Sequence, residues 1–145
     1  MSAGGTFRFV EGATSDLAFT ASGRSLSEVF HAAAAALLAA TVERPEAVLP
    51  KVARSLHFTD TDLELLLLRF LNELVYLRDA EGLVLRPTRV ECRADGGIEL
   101  AAELAGEPLD PVRHGPACDV KAATAHGLAL ARVGAGWRAS VTLDV

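Results

Sequence analysis

Cysteine is scarce in this 145-residue sequence, which contains only Cys92 and Cys118. Two cysteines so far apart form neither a disulfide framework nor a metal-binding pair. We expect both to be reduced thiols, as is usual in cytosolic proteins. The longest apolar stretch, 32–40, is far shorter than the roughly 20 residues of a membrane-spanning helix. No charged segment followed by an apolar core marks a secretory signal, so we expect a cytoplasmic protein that does not bind membranes.

Positive charge is also in the minority, with 14 Lys and Arg residues against 19 Asp and Glu, for a net charge of −5. The sequence has no cluster of basic residues of the kind that binds nucleic acid. We therefore expect no strong nucleic-acid binding by the chain alone, whereas contact with a basic partner protein is compatible with the charge.

Most enzyme motifs are missing as well. There is no P-loop, GxGxxG, GxSxG, HExxH or CxxC pattern. No serine stands out as a nucleophile beside a candidate base. The residues alone therefore indicate no familiar class of enzyme.

Half of the residues are hydrophobic, which is enough for one well-packed core in a chain of 145 residues. We expect a single domain, 1–145. Hydrophobic periodicity predicts strands at 6–10, 16–22, 51–58, 83–92, 98–104, 120–130 and 137–145, with helices after 25 and from 59 or 60 to about 79. This order predicts an α+β fold, with two helices packed on one face of a largely antiparallel sheet.

Local signals support these elements. Ser25 and Glu28 have the spacing of a capping box at the start of the first helix. Thr59 or Asp60 is the predicted cap of the second helix, and Gly82 is its predicted stop. Glycine-containing turns are predicted at 95–97 and 134–136.

Three carboxylates are the first candidates for chemistry. Asp16 begins one predicted strand, and Asp144 and Val145 end another, where Val145 adds a terminal carboxylate. If the two strands are neighbours, these oxygens converge on a site for a hard divalent cation, Ca²⁺ or alternatively Mg²⁺ or Mn²⁺. On spacing alone a simpler interpretation is favoured, in which Asp16 satisfies a turn amide and Asp144 is a solvated end residue.

Lys121 and His126 are the next candidates. They have opposite parity on one predicted strand, so they should face opposite sides of the sheet unless a bulge intervenes. Without further information the simpler interpretation is a solvated lysine and a partly buried histidine. His114 is expected in a loop.

Several segments together resemble the archease family. They occur in the family's order at 7–11, 14–16 with Gly23, 65–76, 106–114, 119–128 and 137–145, and cover nearly the whole chain. The resemblance implies a small α+β protein that is not an enzyme. It implies a protein cofactor of a GTP-dependent, RtcB-type RNA-splicing ligase, which promotes ligase guanylylation and multiple turnover in tRNA splicing or RNA repair.

The resemblance also implies roles for particular residues. Asp16, Asp144 and Val145 match the family's metal site, and Lys121 matches a lysine implicated in activity. His126 lies in the same matched segment and joins Lys121 as a candidate for partner contact. With the resemblance, the metal site becomes the favoured interpretation of the acids.

One departure from the family pattern concerns its His-Thr-Ala-Asp motif. Here the motif reads Ala13-Thr-Ser-Asp16, and Gly12 has the position of an insertion. The chain therefore has no imidazole at this point. Two other functions stay open: a stand-alone metal-dependent hydrolase that uses the same acids, and a chaperone-like or modulatory binding module without metal.

Overall fold

A computed structural model of the chain describes residues 4–10 and 16–145. The elements follow in the predicted order of two strands, a helix, a strand, a helix and four strands. They are β1 (Thr6–Val10), β2 (Asp16–Gly23), α1 (Leu26–Thr41), β3 (Val52–Asp60), α2 (Leu63–Glu81), β4 (Leu83–Ala94), β5 (Ile98–Pro108), β6 (Ala122–Val133) and β7 (Gly136–Asp144), with a short 3-10 turn at Pro45–Ala47.

The strands form two antiparallel sheets. The first sheet has the order β1-β2-β7-β6, and the second has the order β3-β5-β4. The predicted α+β class, with two helices and antiparallel strands, is confirmed. The structure adds the division into two sheets, which strand periodicity alone does not reveal.

The first helix begins as its sequence predicts. Ser25 is the N-cap, and its Oγ accepts a hydrogen bond from the Glu28 amide at 3.2 Å. The Glu28 carboxylate reaches back to accept from the Arg24 amide at 3.0 Å. Fully buried small residues such as Ala33 and Ala36 then let the helix backbone approach the strands closely.

The cap of the second helix differs from the prediction. Asp62 is the N-cap, and its carboxylate accepts hydrogen bonds from the amides of Glu64 and Leu65. The prediction of Thr59 or Asp60 was wrong because both residues still belong to β3.

Asp60 instead ends the strand. Its carboxylate accepts from the Thr61 and Asp62 amides at 2.7 and 3.1 Å, and these two bonds turn the chain into the helix. The other end of the helix is as predicted, since Gly82 adopts the left-handed conformation at φ 70° and closes it.

The core lies between the helices and the inner faces of the strands. Helix α1 packs on β2 and β4, and α2 packs on β6, β3 and β4, so each helix contacts both sheets. The largest fully buried side chains are Phe19, Phe30, Phe70, Leu66, Leu67, Leu71, Leu100, Leu104 and Leu143. No helix in the described part of the chain is long and apolar enough to cross a membrane.

The two cysteines are free thiols, as predicted. Both are partly buried beside the core. Burial raises the pKa of the Cys92 thiol to about 11, because desolvation disfavours the thiolate. Cys92 is therefore a packing residue rather than a reactive one.

Candidate functional site

Asp16 and Asp144 lie directly opposite each other on the neighbouring strands β2 and β7. Directly opposed residues of an antiparallel pair present their side chains on the same face of the sheet. The adjacent pair, Leu17 and Leu143, packs into the core on the other face. The two carboxylates therefore lie on the outer face, where Asp144 is exposed and Asp16 is partly exposed.

The next strand brings Lys121 to the same end of the sheet. Ala122, the first residue of β6, is opposite Asp144. The amide of Lys121 donates to the backbone carbonyl of Asp144 at 2.8 Å. The Lys121 residue is exposed, so its backbone places a positively charged residue at the same end of the sheet as the acidic pair.

Val145 follows directly on Asp144. Its side chain is partly buried and packs against the main core. This packing holds the backbone of Val145 at the end of β7, next to Asp144.

The pair of acids has no neutralising side chain among residues 4–10 and 16–145. Within that part, neither carboxylate makes an ion pair or accepts a side-chain hydrogen bond. Like charges directly opposite across strands destabilise a sheet, by roughly 0.2–1 kcal/mol. A divalent cation would remove this repulsion, and carboxylate oxygens are the ligands that hard cations prefer. The donor chemistry therefore fits the predicted cation.

The described residues contain no cluster of three or more His, Cys, Asp or Glu side chains suited to a metal. Two side-chain carboxylates, from Asp16 and Asp144, are what this end of the sheet offers. A third protein oxygen would come from the carboxylate of Val145. The metal site remains a prediction.

His126 lies in a bulge of β6. The register is regular up to Thr124, opposite Thr142, and resumes at Ala129, opposite Ser140, so several extra residues are inserted on β6. The expectation that His126 and Lys121 face opposite sides assumed an unbroken strand and does not apply here. His126 is exposed, so the interpretation as a partly buried histidine is wrong. It has no ion pair with a described residue.

Gly12 and Ala13, where the sequence departs from the family motif, lie outside the described residues. The structure therefore bears only on the last residue of that motif, Asp16.

Sequence reasoning missed a buried ionic cluster around Glu107, whose side chain is almost fully enclosed. The Glu107 carboxylate lies 2.6 Å from the Arg113 guanidinium and 2.9 Å from Nε2 of His114. The Leu49 amide donates to it at 2.7 Å, and Lys51 lies 3.5 Å away. His114 belongs to a loop as predicted, but it is completely buried.

The cluster has a structural function. The hydrogen bond from Arg113, helped by those from the Leu49 amide and His114, holds the pKa of Glu107 well below its usual range. Both carboxylate oxygens have partners, so the charge is satisfied and fixes the 109–121 loop against β5. The only sequence signal was the close spacing of charged residues from 107 to 114.

Comparison with known proteins agrees with this architecture. The Archease protein family (MTH1598/TM1083) matches residues 7–145. Protein archease of Pyrococcus abyssi is 37% identical over 134 residues, covering 91% of this chain and 94% of that protein. Protein archease of Methanosarcina acetivorans is 34% identical and covers 91% of each. The chain belongs to the archease family.

Solved structures share the fold. The solution structure of Methanobacterium thermoautotrophicum protein 1598 superposes with a TM-score of 0.82 at 29% identity, covering 96% of this chain and 98% of that one. A Thermotoga maritima protein described as an archease and possible chaperone superposes with a TM-score of 0.63 at 20% identity, covering 95% and 97%. The second likeness concerns the fold alone.

Proposed function

We propose that this protein is a non-enzymatic cofactor of an RtcB-type, GTP-dependent RNA ligase. It promotes guanylylation of the ligase and allows repeated turnover in tRNA splicing or RNA repair. The observation that supports this most is the direct opposition of Asp16 and Asp144 on the outer face of the first sheet. Membership of the archease family supports the identity of the partner.

The residues that would hold a divalent cation are Asp16, Asp144 and the carboxylate of Val145. Ca²⁺ is the proposed ion, and Mg²⁺ or Mn²⁺ are the alternatives. When bound beside a nucleotide, such a cation stabilises the negative charge that develops on phosphoryl oxygens during transfer.

The outer-face acids also provide a docking surface. An exposed acidic edge complements a basic cleft on the ligase, and such complementarity favours correct orientation and fast encounter. Lys121 is exposed at the same end of the sheet, where its backbone amide donates to Asp144. There it can meet a phosphate, or an acidic group of the ligase–guanylate assembly, as a flexible point charge. His126, exposed on the neighbouring bulge, extends the same contact surface.

Two other functions use the same residues differently. A metal-dependent hydrolase would cleave nucleotides or RNA without a partner, and a modulatory module would act on its partner without metal. We expect the purified protein to hydrolyse no nucleotide in the presence of Ca²⁺, Mg²⁺ or Mn²⁺. Turnover that is lost in Asp16→Asn would favour the hydrolase, and ligase activation unchanged by a chelator of Ca²⁺ would favour the module.

The proposal is tested by ligase guanylylation. The purified RtcB-type ligase of the same organism is incubated with labelled GTP, with and without this protein, and the rate of covalent labelling is measured. We expect faster labelling, and several rounds of RNA joining per ligase instead of one. Equal labelling rates with and without a saturating amount of this protein would contradict the proposal.

A further inference from the structure

A second feature of the outer face is a cleft at the opposite end from the acids. Arg8 on β1 and Arg138 on β7 line it, together with Thr6, Phe7, Thr20 and Ser22, and its volume is about 560 Å³. Both arginines are exposed. The cleft therefore joins two positive charges and three hydroxyl groups on one surface.

The strand register explains why these residues meet. Thr6, Ser22 and Arg138 form one row across β1, β2 and β7, since Thr6 is opposite Ser22 and Ser22 is opposite Arg138. Arg8 and Thr20 form the next row on the same face. Arg8 and Arg138 are thus separated by two strand spacings across the sheet and by one row along it. The spacings of a β-sheet put their Cα atoms about 12 Å apart. Two long arginine side chains can cover the hydroxyls between them from both sides.

These two arginines differ from all the others in the chain. Every other arginine makes an ion pair, donates to a backbone carbonyl or stacks on an aromatic ring. Arg8 and Arg138 make none of these contacts with any residue in 4–10 or 16–145. The side-chain hydroxyls of Thr6, Thr20 and Ser22 likewise have no hydrogen-bond partner in that part of the chain. Five donor side chains on one surface are therefore available to a ligand.

Protection of a sheet edge explains only one of the two charges. Arg8 lies on β1, an edge strand, where a charged side chain discourages pairing with another chain. Arg138 lies on β7, which is flanked by β2 and β6 and has no free edge. A charge at that position has no part in edge protection.

The donor set suits a tetrahedral oxyanion. One guanidinium already satisfies a carboxylate through two parallel bonds. Two guanidinium groups and three hydroxyls exceed that requirement and match the larger number of oxygens on a phosphate. We infer that the Arg8–Arg138 cleft binds a phosphate group, carried either by a nucleotide or by a strand of RNA.

This phosphate site is separate from the acidic pair. Arg138 and Asp144 lie six residues apart on one strand, which corresponds to about 20 Å. The intervening outer-face positions carry the small residues Ala18 and Thr142, so the surface between the two ends is not blocked by a bulky side chain. The inference rests on the donor groups that line this cleft and does not depend on the cation or on the ligase.

Salt dependence provides the test. A labelled single-stranded RNA decamer is titrated with the protein between about 50 and 200 mM salt, and binding is followed by fluorescence anisotropy. Two phosphate contacts predict weak binding. The logarithm of the association constant should fall against the logarithm of the salt concentration with a slope of about −1.4. Arg8→Gln and Arg138→Gln should each reduce that slope by about half. The matched control is Arg93→Gln, which makes the same charge change on β4 of the second sheet, at an exposed arginine already paired with Glu91.

Competition experiments identify the ligand. Inorganic phosphate or GMP that displaces the RNA shows that an isolated phosphate suffices, and displacement by unlabelled RNA alone shows that the phosphates of a strand are required. Both results support the phosphate site. Displacement by polyglutamate at equal charge concentration would overturn it, because the cleft would then recognise carboxylates.

The folded state is checked by thermal unfolding and by amide NMR spectra of each variant. With inorganic phosphate, the amides of Thr20, Ser22 and Arg138 should shift in the wild type and stay in place in Arg138→Gln. Folded variants with the wild-type salt slope, or phosphate shifts spread evenly over the surface, would overturn the inference.

Discussion

Asp16 and Asp144 occupy opposed positions on β2 and β7, with both carboxylates on the outer face of the sheet. The two residues are 128 positions apart in the sequence and belong to the second and the last strand. Packing does not explain the arrangement, because the core lies on the other face and the repulsion costs stability. Two acids that make no ion pair with residues 4–10 or 16–145 suit the predicted cation site or contact with a basic partner.

The first prediction concerns cation binding. Ca²⁺ at a hundred times its dissociation constant should stabilise the wild type by about 2.7 kcal/mol through mass action. This raises the unfolding temperature by several degrees in differential scanning fluorimetry. Asp144→Asn should lose the shift. In EDTA its stability should stay within about 0.5 kcal/mol of the wild type, since the substitution removes repulsion and no packing.

Asp95→Asn is the matched control for this measurement. Asp95 is an exposed aspartate in the turn between β4 and β5, so its loss makes the same charge change far from β7. If Ca²⁺ raised the unfolding temperatures of wild type, Asp144→Asn and Asp95→Asn equally, the cation would not bind at Asp16 and Asp144.

A second prediction concerns Val145. A short extension of Gly and Ser residues after Val145 converts its carboxylate into a peptide carbonyl and removes one anionic ligand. The Val145 side chain still packs on the core, so the free energy of unfolding should change by less than about 0.5 kcal/mol. Ligase activation should be lost. An extended protein that stimulates guanylylation at the normal rate would refute the function assigned to that carboxylate.

Lys121 gives a third prediction. Lys121→Ala should lower the ligase guanylylation rate at saturating protein, while the unfolding temperature stays near that of the wild type. The reason is that the exposed side chain makes no ion pair with a described residue, so its charge is available to the ligase complex. Lys121→Arg keeps the positive charge and should retain part of the activity. A wild-type rate for Lys121→Ala would make Lys121 an ordinary surface residue.

The buried Glu107 cluster gives a prediction about pH. The hydrogen bond from Arg113 lowers the pKa of Glu107 in the folded state below the unfolded value of about 4.3. The folded protein therefore binds this proton less readily than the unfolded chain. The stability that the cluster contributes is fully present above the unfolded pKa and is lost as the pH falls through the folded pKa.

The measurement is the unfolding temperature between about pH 7 and pH 3. Glu107→Gln should unfold several degrees lower than the wild type at pH 7, because Arg113 and His114 lose their carboxylate partner. The difference should shrink toward pH 3. Glu103→Gln, at an exposed residue of β5, controls for the change of net charge. Parallel curves for Glu107→Gln and wild type across the whole range would contradict the stabilising function of the cluster.

The order of helices and strands was predictable because each element has a strong local signal. The Ser25–Glu28 box and Gly82 mark helix ends through backbone chemistry that needs no tertiary contact. Even there, the second cap was misplaced by at least two residues. Asp60 ends β3 by accepting from the Thr61 amide, and Asp62 caps α2 by accepting from the Glu64 amide. In the sequence alone, either aspartate is a suitable helix N-cap.

The division into two sheets was not predictable in the same way. It depends on which strands pair, and β2 pairs with β7 across most of the chain length. Periodicity within a strand identifies the buried face but not the neighbouring strand. The juxtaposition of Asp16 and Asp144 was accordingly conditional on a pairing that only the structure shows.

The arginine cleft and the Glu107 cluster were missed for a related reason. Arg8 and Arg138 are 130 positions apart and meet only through the register of three strands. His114 was correctly predicted in a loop, but its burial was not predicted, because loops usually lie at the surface. Its complete burial follows from the tertiary position of Glu107.

The guanylylation rate of the RtcB-type ligase tests the proposed function most directly. It should be measured at saturating concentrations of wild type, Asp144→Asn and the control Asp95→Asn, after thermal unfolding has shown that all three are folded. The wild type and Asp95→Asn should accelerate labelling of the ligase equally, and Asp144→Asn should leave it near the rate of the ligase alone. Full stimulation by a folded Asp144→Asn would contradict the assignment of the outer-face acids as the functional centre.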